Sequence, residues 1–397
     1  MDSTTAQGTL PLDLAKLRVA IVHYWFANRR GGERVVEALA EMFPQADLFA
    51  LVADRAVLAP SLQSRRIRTS FLQHLPGGIR HHRKLLPLFP LAVEQFPLND
   101  YDLVISSESG PAKGVITGAA TCHICYCHSP MRYLWDLYHP YREWEIGGVT
   151  RAIFTLSAHY VRMWDLASAS RVDYFVANSR HVAARIRKHY RRDSVVIHPP
   201  VAVSHGYLSP SREDYYLVVS PLVAYKRVDL AVEACNLLRR PLRVVGEGEE
   251  YRRLRRLAGP TVEFLGRLPD DAVRENYARC RALIFPGEED FGMVPVEAQS
   301  FGRPVIAYGR GGACETVVGC FAGESLHPEA STGVFFSEQT IDSLMGAIRA
   351  FEGVESGFSP QFIRAHVQFF DVPRFKAAIA AFISEKLCEF RSGLSSP

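Results

Sequence analysis

Residues 285–312 read FPGEEDFGMVPVEAQSFGRPVIAYGRGG, and the order of residue types in this stretch decides the fold. The run Ala282–Phe285 that leads into it is short and apolar, the pattern of a strand buried in a parallel sheet. Pro286 and Gly287 end that strand, and a helical pattern begins near Met293 and runs to Ser300. Glu289 therefore falls in the loop at a strand's carboxyl end, and Glu297 about one turn into the helix that follows. Ligands of open α/β sheets bind outside the carboxyl ends of the strands. The amides of Gly292, Met293 and Val294 open the helix, where a phosphate is favoured. One segment thus offers an anion site flanked by two acids, which suits a sugar nucleotide. Two solvated acids on a helix face are the alternative.

Outward from this stretch the chain divides into two α/β series. The second starts at Tyr216 and gives YLVVS (216–220), LRVVG (242–246), TVEFLG (261–266), ALIFP (282–286) and PVIAYG (304–309), with the helix VDLAVEACNLL after the first strand. The first opens at Leu17–Val22 and continues through DLFALV (47–52), YDLVISS (101–107), HICYC (123–127), YFVANS (174–179) and SVVIHPP (194–200). Strands alternating with helices predict parallel sheets. The composition changes across 199–214, which reads as a linker. The expected division is a disordered lead-in at 1–16, a first domain at 17–205, a second at 206–370, and an amphipathic C-terminal helix over 371–397. Gly31 and Gly32 follow the first strand and precede ERVVEALAEM, a helix start where backbone can approach an anion closely. The stretch is not G-x-G-x-x-G, so a nicotinamide dinucleotide reading fails.

Glu289 and Glu297 form E-x7-E, and with their flanks they resemble the retaining glycosyltransferases of family 4. The fold this implies is α/β of the GT-B type, two doubly wound Rossmann-like domains facing across a cleft, with the last helix crossing back to the first. By that resemblance Glu289 contacts the donor sugar and Glu297 the nucleotide ribose. In SPLVAYKRVDLAVEA (220–234) Lys226 falls where the family's lysine meets the donor pyrophosphate, and Arg227 adds a second cation. Relatives carry an arginine five positions before that lysine; here Pro221 stands there. YCHSPMRYLWDLYHPY (126–141) resembles the H-[ST]-P stretch of a mannosyltransferase-like branch, which places His128 near the donor sugar. Tyr133, Trp135 and Tyr138 are candidates for an acceptor groove or for core packing. The loop at Gly31 and Gly32 is implied to cover the donor diphosphate. Gly246, the Phe264–Arg267 turn, and Gly311, Gly312 and Glu315 are implied to wall the nucleotide. The candidate catalytic residues are Glu289 and His128. The donor-binding set is Gly31, Gly32, Lys226, Arg227, Gly246, Arg267, Gly292, Met293, Val294 and Glu297. The resemblance implies neither metal nor cofactor.

The chain of 397 residues suits two domains, each able to bury a core. No apolar run approaches ~20 residues, so no helical span is expected. MDSTTAQGTLPLDLAK lacks a basic start and an apolar core, so it does not read as a signal peptide. A cytoplasmic protein, peripheral at the inner face of the plasma membrane, is expected. The net charge of +4 conceals an asymmetry: residues 1–205 hold 24 Lys/Arg against 17 Asp/Glu. Between Asp54 and Glu94 there is no acid, while Arg55, Arg65, Arg66, Arg68, Arg80, Arg83 and Lys84 all fall there. Phe71, Leu72, Leu75, Leu85, Leu86, Leu88 and Phe89 are interleaved, and basic residues mixed with exposed apolar ones favour an anionic bilayer. A solvated face over a core helix is the other reading. The charge excess is small and no nucleic-acid motif is present, so nucleic acid is not an expected partner. Cys122, Cys125 and Cys127 lie beside His123 and His128, but C-x2-C-x-C has no second pair at zinc-site distance. TCHICYCHSP reads instead as a strand with alternating faces, its thiols reduced.

These readings converge on a retaining hexosyltransferase. The expected donor is GDP-mannose and the expected acceptor a lipid-linked or lipopolysaccharide glycan. A nucleotide-sugar 2-epimerase of the same architecture is one alternative, and a non-enzymatic nucleotide-sugar-binding scaffold, suggested by Pro221, is another.

Overall fold

The structure, a computed structural model, describes residues 14–27, 31–144, 148–325 and 327–394. The expected lead-in lies outside the described residues as far as residue 13. Its last part is ordered: Leu14–Lys16 forms a 3-10 turn, and Gln45 Nε2 donates to Leu14 O at 3.1 Å and Leu17 O at 3.3 Å.

The chain forms two compact units. The first takes residues up to Ala177, then Ala183–Ile197, then everything from Lys376. The second takes Asn178–Val182 and His198–Phe375. The division thus falls at 197/198, earlier than the linker expected from composition.

The first unit holds seven strands: β1 (Val19–His23), β2 (Asp47–Ala50), β3 (Ile67–Thr69), β4 (Leu103–Glu108), β5 (Cys122–Cys127), β6 (Tyr174–Ala177) and β7 (Ser194–Val196). They lie all parallel in the order β3-β2-β1-β4-β5-β6-β7. Every residue of β1, β4 and β5 is buried, as a strand covered on both faces must be. The alternating faces expected of CHICYC are therefore not exposed and buried faces; both are core. The second unit repeats the plan with β8 (Tyr216–Val219), β9 (Leu242–Val245), β10 (Val262–Gly266), β11 (Leu283–Phe285), β12 (Val305–Tyr308), β13 (Gly319–Phe321) and β14 (Gly333–Phe336). Their order is β10-β9-β8-β11-β12-β14-β13, again parallel. In each sheet the strand order reverses beside the first strand, between β1 and β4 and between β8 and β11. That reversal opens the crevice where doubly wound sheets bind ligands.

The C-terminal helix Val372–Leu394 joins the first unit from Lys376 onward. Ile379, Phe382, Ile383 and Leu387 form its buried stripe. Lys376 Nζ meets Glu41 Oε2 at 2.5 Å, and Lys386 lies over the Tyr174 ring at 5.4 Å.

One charged cluster lies wholly inside the first unit. Lys113, in the turn after β4, has no exposed surface, and neither has Asp165 on the helix Val149–Ser168. The Lys113 ammonium donates to the Asp165 carboxylate, to Asp165 O at 2.9 Å and to Ser168 Oγ at 2.9 Å. Trp135 Nε1 and Tyr190 OH donate to the same carboxylate at 2.8 and 3.0 Å. All three ammonium protons are thus used, which is what makes a buried pair tolerable. Beside it Glu108 Oε2 accepts from Lys113 N at 2.9 Å, and burial pushes the Glu108 carboxyl up to about 8.

Candidate functional site

In the second unit the site grows from the switch point between β8 and β11. After β8 the chain turns through Ala224–Lys226, and Arg227 adopts a left-handed conformation (φ 52°) before the helix Val228–Leu238. After β11 the loop runs through Gly287 to Glu289. Lys226 Nζ and Glu289 Oε1 form an ion pair there, with both side chains mostly buried. The Glu289 backbone is held from behind by a parallel bridge to Gly311 and by Gly312 N donating to Glu289 O at 2.8 Å. Gly311 needs to be glycine: its φ is +70°, and a Cβ would lie 2.4 Å from Glu289 O.

The helix Met293–Ser300 begins where the sequence places it, and no side chain caps its start at Gly292. Glu297 is partly buried and accepts from Tyr277 OH at 2.9 Å, so the two acids serve different partners. Met293 packs against Val201, Phe291 and Val296, and Val294 is partly buried. The Arg227 guanidinium sits on Asp229 at 3.2 Å. Gly246 follows β9 at a φ of +139°, and Arg267 is exposed. Glu315, expected to help wall the nucleotide, is held by backbone donors. Its carboxylate accepts from Arg180 N at 2.9 Å and His181 N at 3.0 Å, which caps those backbone donors.

In the first unit polar groups gather at the carboxyl ends of β1, β4 and β5. His23 ends β1, Ser107 lies in β4, and His128 follows β5. His23 Nδ1 lies 3.0 Å from Ser107 Oγ, which lies 2.8 Å from His128 Nε2. Glu33, buried in the first turn of the helix Gly31–Met42, puts Oε1 3.9 Å from His23 Nε2. Burial and the neighbouring His23 lower the His128 imidazole to about 3, so the ring is neutral. Gly31 and Gly32 are the first two residues of that helix rather than a loop before it. A Cβ on Gly32 would come within 2.6 Å of Tyr24 OH and 3.4 Å of His128 Nε2.

Sequence reasoning found His128 and Gly32 but not His23, Ser107 or Glu33. The available signal was polar residues closing otherwise apolar strands, at AIVH and LVISSE. The aromatics after His128 pack into the core. Trp135 stacks on His189 at 4.6 Å, Tyr138 stacks on Phe154 at 6.0 Å, and Tyr133 packs against the same core cluster. Among the described residues no group of three or more His, Cys, Asp or Glu is disposed to hold a metal, and all eight cysteines are free thiols.

Residues 29–205 match the family described as Glycosyltransferase Family 4, and residues 204–354 match Glycosyl transferases group 1. Each half of the chain thus matches a different glycosyltransferase family model, and the fold is the two-domain α/β arrangement of the solved glycosyltransferases it resembles. Among solved structures, Anabaena Alr3699/HepE in complex with UDP is 17% identical, with a TM-score of 0.68 over 93% of this chain and 100% of that one. Sucrose-phosphate synthase from Thermosynechococcus elongatus is also 17% identical, with a TM-score of 0.68 over 94% and 100%. Among curated proteins, an uncharacterized glycosyltransferase of Methanocaldococcus jannaschii is 26% identical over 156 residues, 38% of this chain and 44% of that protein. The O-antigen chain mannosyltransferase C of Escherichia coli is 28% identical over 155 residues, 34% of this chain and 42% of that protein. The match thus spans less than half the length of these curated relatives.

Proposed function

We propose that this chain transfers a hexose with retained configuration, most specifically mannose from GDP-mannose, onto a lipid-linked or lipopolysaccharide glycan. The observation that carries the proposal is the Lys226–Glu289 pair at the carboxyl ends of β8 and β11, beside an uncapped helix start. A donor diphosphate would draw Lys226 away from Glu289. The freed carboxylate then faces the sugar carbon as positive charge develops, while Lys226 and the helix-start amides take up the charge of the leaving diphosphate. Glu297 is assigned the ribose and His128 a sugar hydroxyl. Transfer in this scheme needs no metal or prosthetic group. The mannosyl assignment is supported by the H-S-P stretch at 128–130 and by the O-antigen mannosyltransferase relative. Solved neighbours bound to UDP make UDP-sugars the donors to test against it. Thermal shift across GDP- and UDP-sugars, then turnover with the anomeric configuration read by NMR, decides the reading. An epimerised sugar formed without acceptor would transfer the assignment to the 2-epimerase class.

Pro221 occupies the place of the family's usual arginine, and its carbonyl accepts from Val223 N at 3.0 Å. That bond uses the carbonyl, so Pro221→Arg keeps it. The variant is expected to lower the donor KM by about tenfold, the gain from one charge-assisted contact. A raised KM in a folded variant would show that the diphosphate is held elsewhere.

We also propose peripheral contact with anionic membrane by the first unit, with a changed division of labour. Leu72, Leu86 and Phe89 are core residues, and Arg65 serves the carbonyls of Ala40 and Ala46 at 3.3 and 2.6 Å. Segment 55–93 therefore offers charge, through exposed Arg55, Arg66, Arg68, Arg80 and Lys84, and little apolar surface. The apolar surface lies on the helix Val149–Ser168, which packs against His82–Leu88. Its Ile153, Leu156, Tyr160 and Met163 recur at helical spacing and are each more than half exposed. No acid occurs from Val149 to Trp164, so a second copy would oppose like charges where an anionic bilayer would attract them. Replacing Arg66, Arg80 and Lys84 by Gln should reduce co-sedimentation with anionic vesicles at low salt. Leu156→Ser with Met163→Ser should reduce it at every salt concentration. Unchanged sedimentation of both variants would overturn the proposal.

A further inference from the structure

We propose that Arg310 is a further donor-binding residue, the second cation that holds the diphosphate of the sugar nucleotide, from the β12 side of Glu289. The assignment rests on the reading of the second unit as the donor site. A sugar-nucleotide diphosphate carries about two negative charges. It gains close to a third as the bond between the anomeric carbon and the diphosphate oxygen breaks and leaves its electron pair on oxygen. Lys226, the cation assigned to this charge, is itself paired with Glu289 in the free protein. Even when drawn to the diphosphate, one ammonium leaves most of that charge unbalanced.

Four Lys or Arg residues stand in the loops that follow the strands of the second sheet: Lys226 and Arg227 after β8, Arg267 after β10 and Arg310 after β12. Arg227 is engaged with Asp229, its Nε 3.2 Å from Oδ1 and its Nη2 3.3 Å from Oδ2. Distance removes Arg267. Neighbouring strands lie about 4.8 Å apart, so Arg267, three strands from β11, starts about 14 Å from the loop that carries Glu289. Arg310 starts one strand away on one side of that loop, as Lys226 does on the other.

The β11–β12 pairing also continues past both strands, through the parallel bridge between Glu289 and Gly311 and the bond from Gly312 N to Glu289 O. Gly311 permits this approach, since a Cβ there would lie 2.4 Å from Glu289 O and 3.2 Å from Glu288 Cγ. Arg310 precedes that glycine, in a tight turn where its N donates to Tyr308 O at 2.8 Å. Its guanidinium lies 5.9 Å from the centre of the Tyr308 ring. Arg310 is exposed and meets no carboxylate among the described residues. Glu288, two positions beyond Pro286, lies instead 3.8 Å from His181 Nε2. A guanidinium without an acid keeps its donors for a ligand, and its planar fork matches two phosphate oxygens. Beside Glu289, the acid assigned to the sugar, that ligand is the sugar-bearing phosphate.

Calorimetry on the full chain with GDP and UDP, each beside its monophosphate, measures the contact without turnover. Arg310→Gln should weaken the diphosphate that the wild-type chain binds by roughly tenfold or more, the loss of one charge-assisted contact. The monophosphate, which lacks the sugar-bearing phosphate, should lose much less. Arg310→Lys, which keeps the charge and loses the fork, should recover part of the affinity. Thermal unfolding without nucleotide should be the same in both variants, because Arg310 is exposed and balances no acid. In turnover Arg310→Gln should raise donor KM and also lower kcat, since the charge it faces grows as the sugar leaves. Equal diphosphate affinity in the wild-type chain and Arg310→Gln overturns the assignment. So does a loss that falls equally on monophosphate and diphosphate, which would place Arg310 at the nucleoside end. A raised acceptor KM with unchanged diphosphate affinity overturns it too, and gives Arg310 to the acceptor. A wild-type chain that binds neither diphosphate defeats the donor reading itself, and this assignment with it.

Discussion

Glu289→Gln is expected to cut kcat by roughly two to three orders of magnitude, the cost of removing one preorganised charge from a developing charge. Nucleotide affinity should change little, or tighten, because the substitution releases Lys226 from its ion pair and leaves it for the diphosphate. Glu297→Gln should behave differently. Glutamine still accepts from Tyr277 OH, so the helix and its neighbour stay in place. What is lost is a charge-assisted bond to the ribose, about 1.5–3 kcal/mol, which raises donor KM by roughly ten- to a hundredfold. Steady-state kinetics with calorimetric nucleotide binding separates the two. Equal, small effects would remove both acids from the donor site and leave them their structural partners, Lys226 and Tyr277.

The second large effect concerns stability. Asp165→Asn leaves the Lys113 ammonium buried without its counter-charge and should destabilise the first unit by about 3–5 kcal/mol. Lys113→Met combined with Asp165→Asn should recover part of that loss, since no uncompensated charge remains. All four tryptophans lie in residues 25–164, so urea unfolding followed by tryptophan fluorescence reads this unit selectively. Glu108 adds a pH dependence. Its folded pKa, about 8, lies above the ordinary value of 4.5, so the folded chain keeps a proton that the unfolded chain releases. Stability contributed here is full below about 4.5 and falls as pH rises toward 8. Glu108→Gln should flatten that fall. An unchanged slope with Gln, or a fully stable Asp165→Asn, would show that the cluster is hydrated.

The parallel sheets were legible because central strands write themselves as apolar runs, and the helix Met293–Ser300 because ProGly and Phe291-Gly292 mark its approach. The edge strands β3 and β13 were not: three residues such as IRT or GCF carry no period. Segment 55–93 shows a different limit. Charge can be counted from sequence, but Leu72 and Leu91 look alike there, and only packing puts one in the core and the other in solvent. The acids after β11 could be found because loop and helix lie within a dozen residues. His23, Ser107 and Glu33 could not be grouped, because strand pairing rather than local spacing joins them. The partners of Glu315 were hidden for a related reason: the amides of Arg180 and His181 lie about 135 positions away.

The helix at the carboxyl end has a consequence in time. Its buried stripe completes a unit whose sheet was finished by Val196, yet the ribosome makes His198–Phe375, nearly all of the second unit, in between. At about 5–20 residues per second, that leaves the first sheet without this cover for roughly ten to thirty seconds. Throughout that interval the surface destined for Ile379, Ile383 and Leu387 stays open to solvent and to chaperones. The nascent first unit is thus the aggregation-exposed species, and the second can close while the first still waits for its last helix.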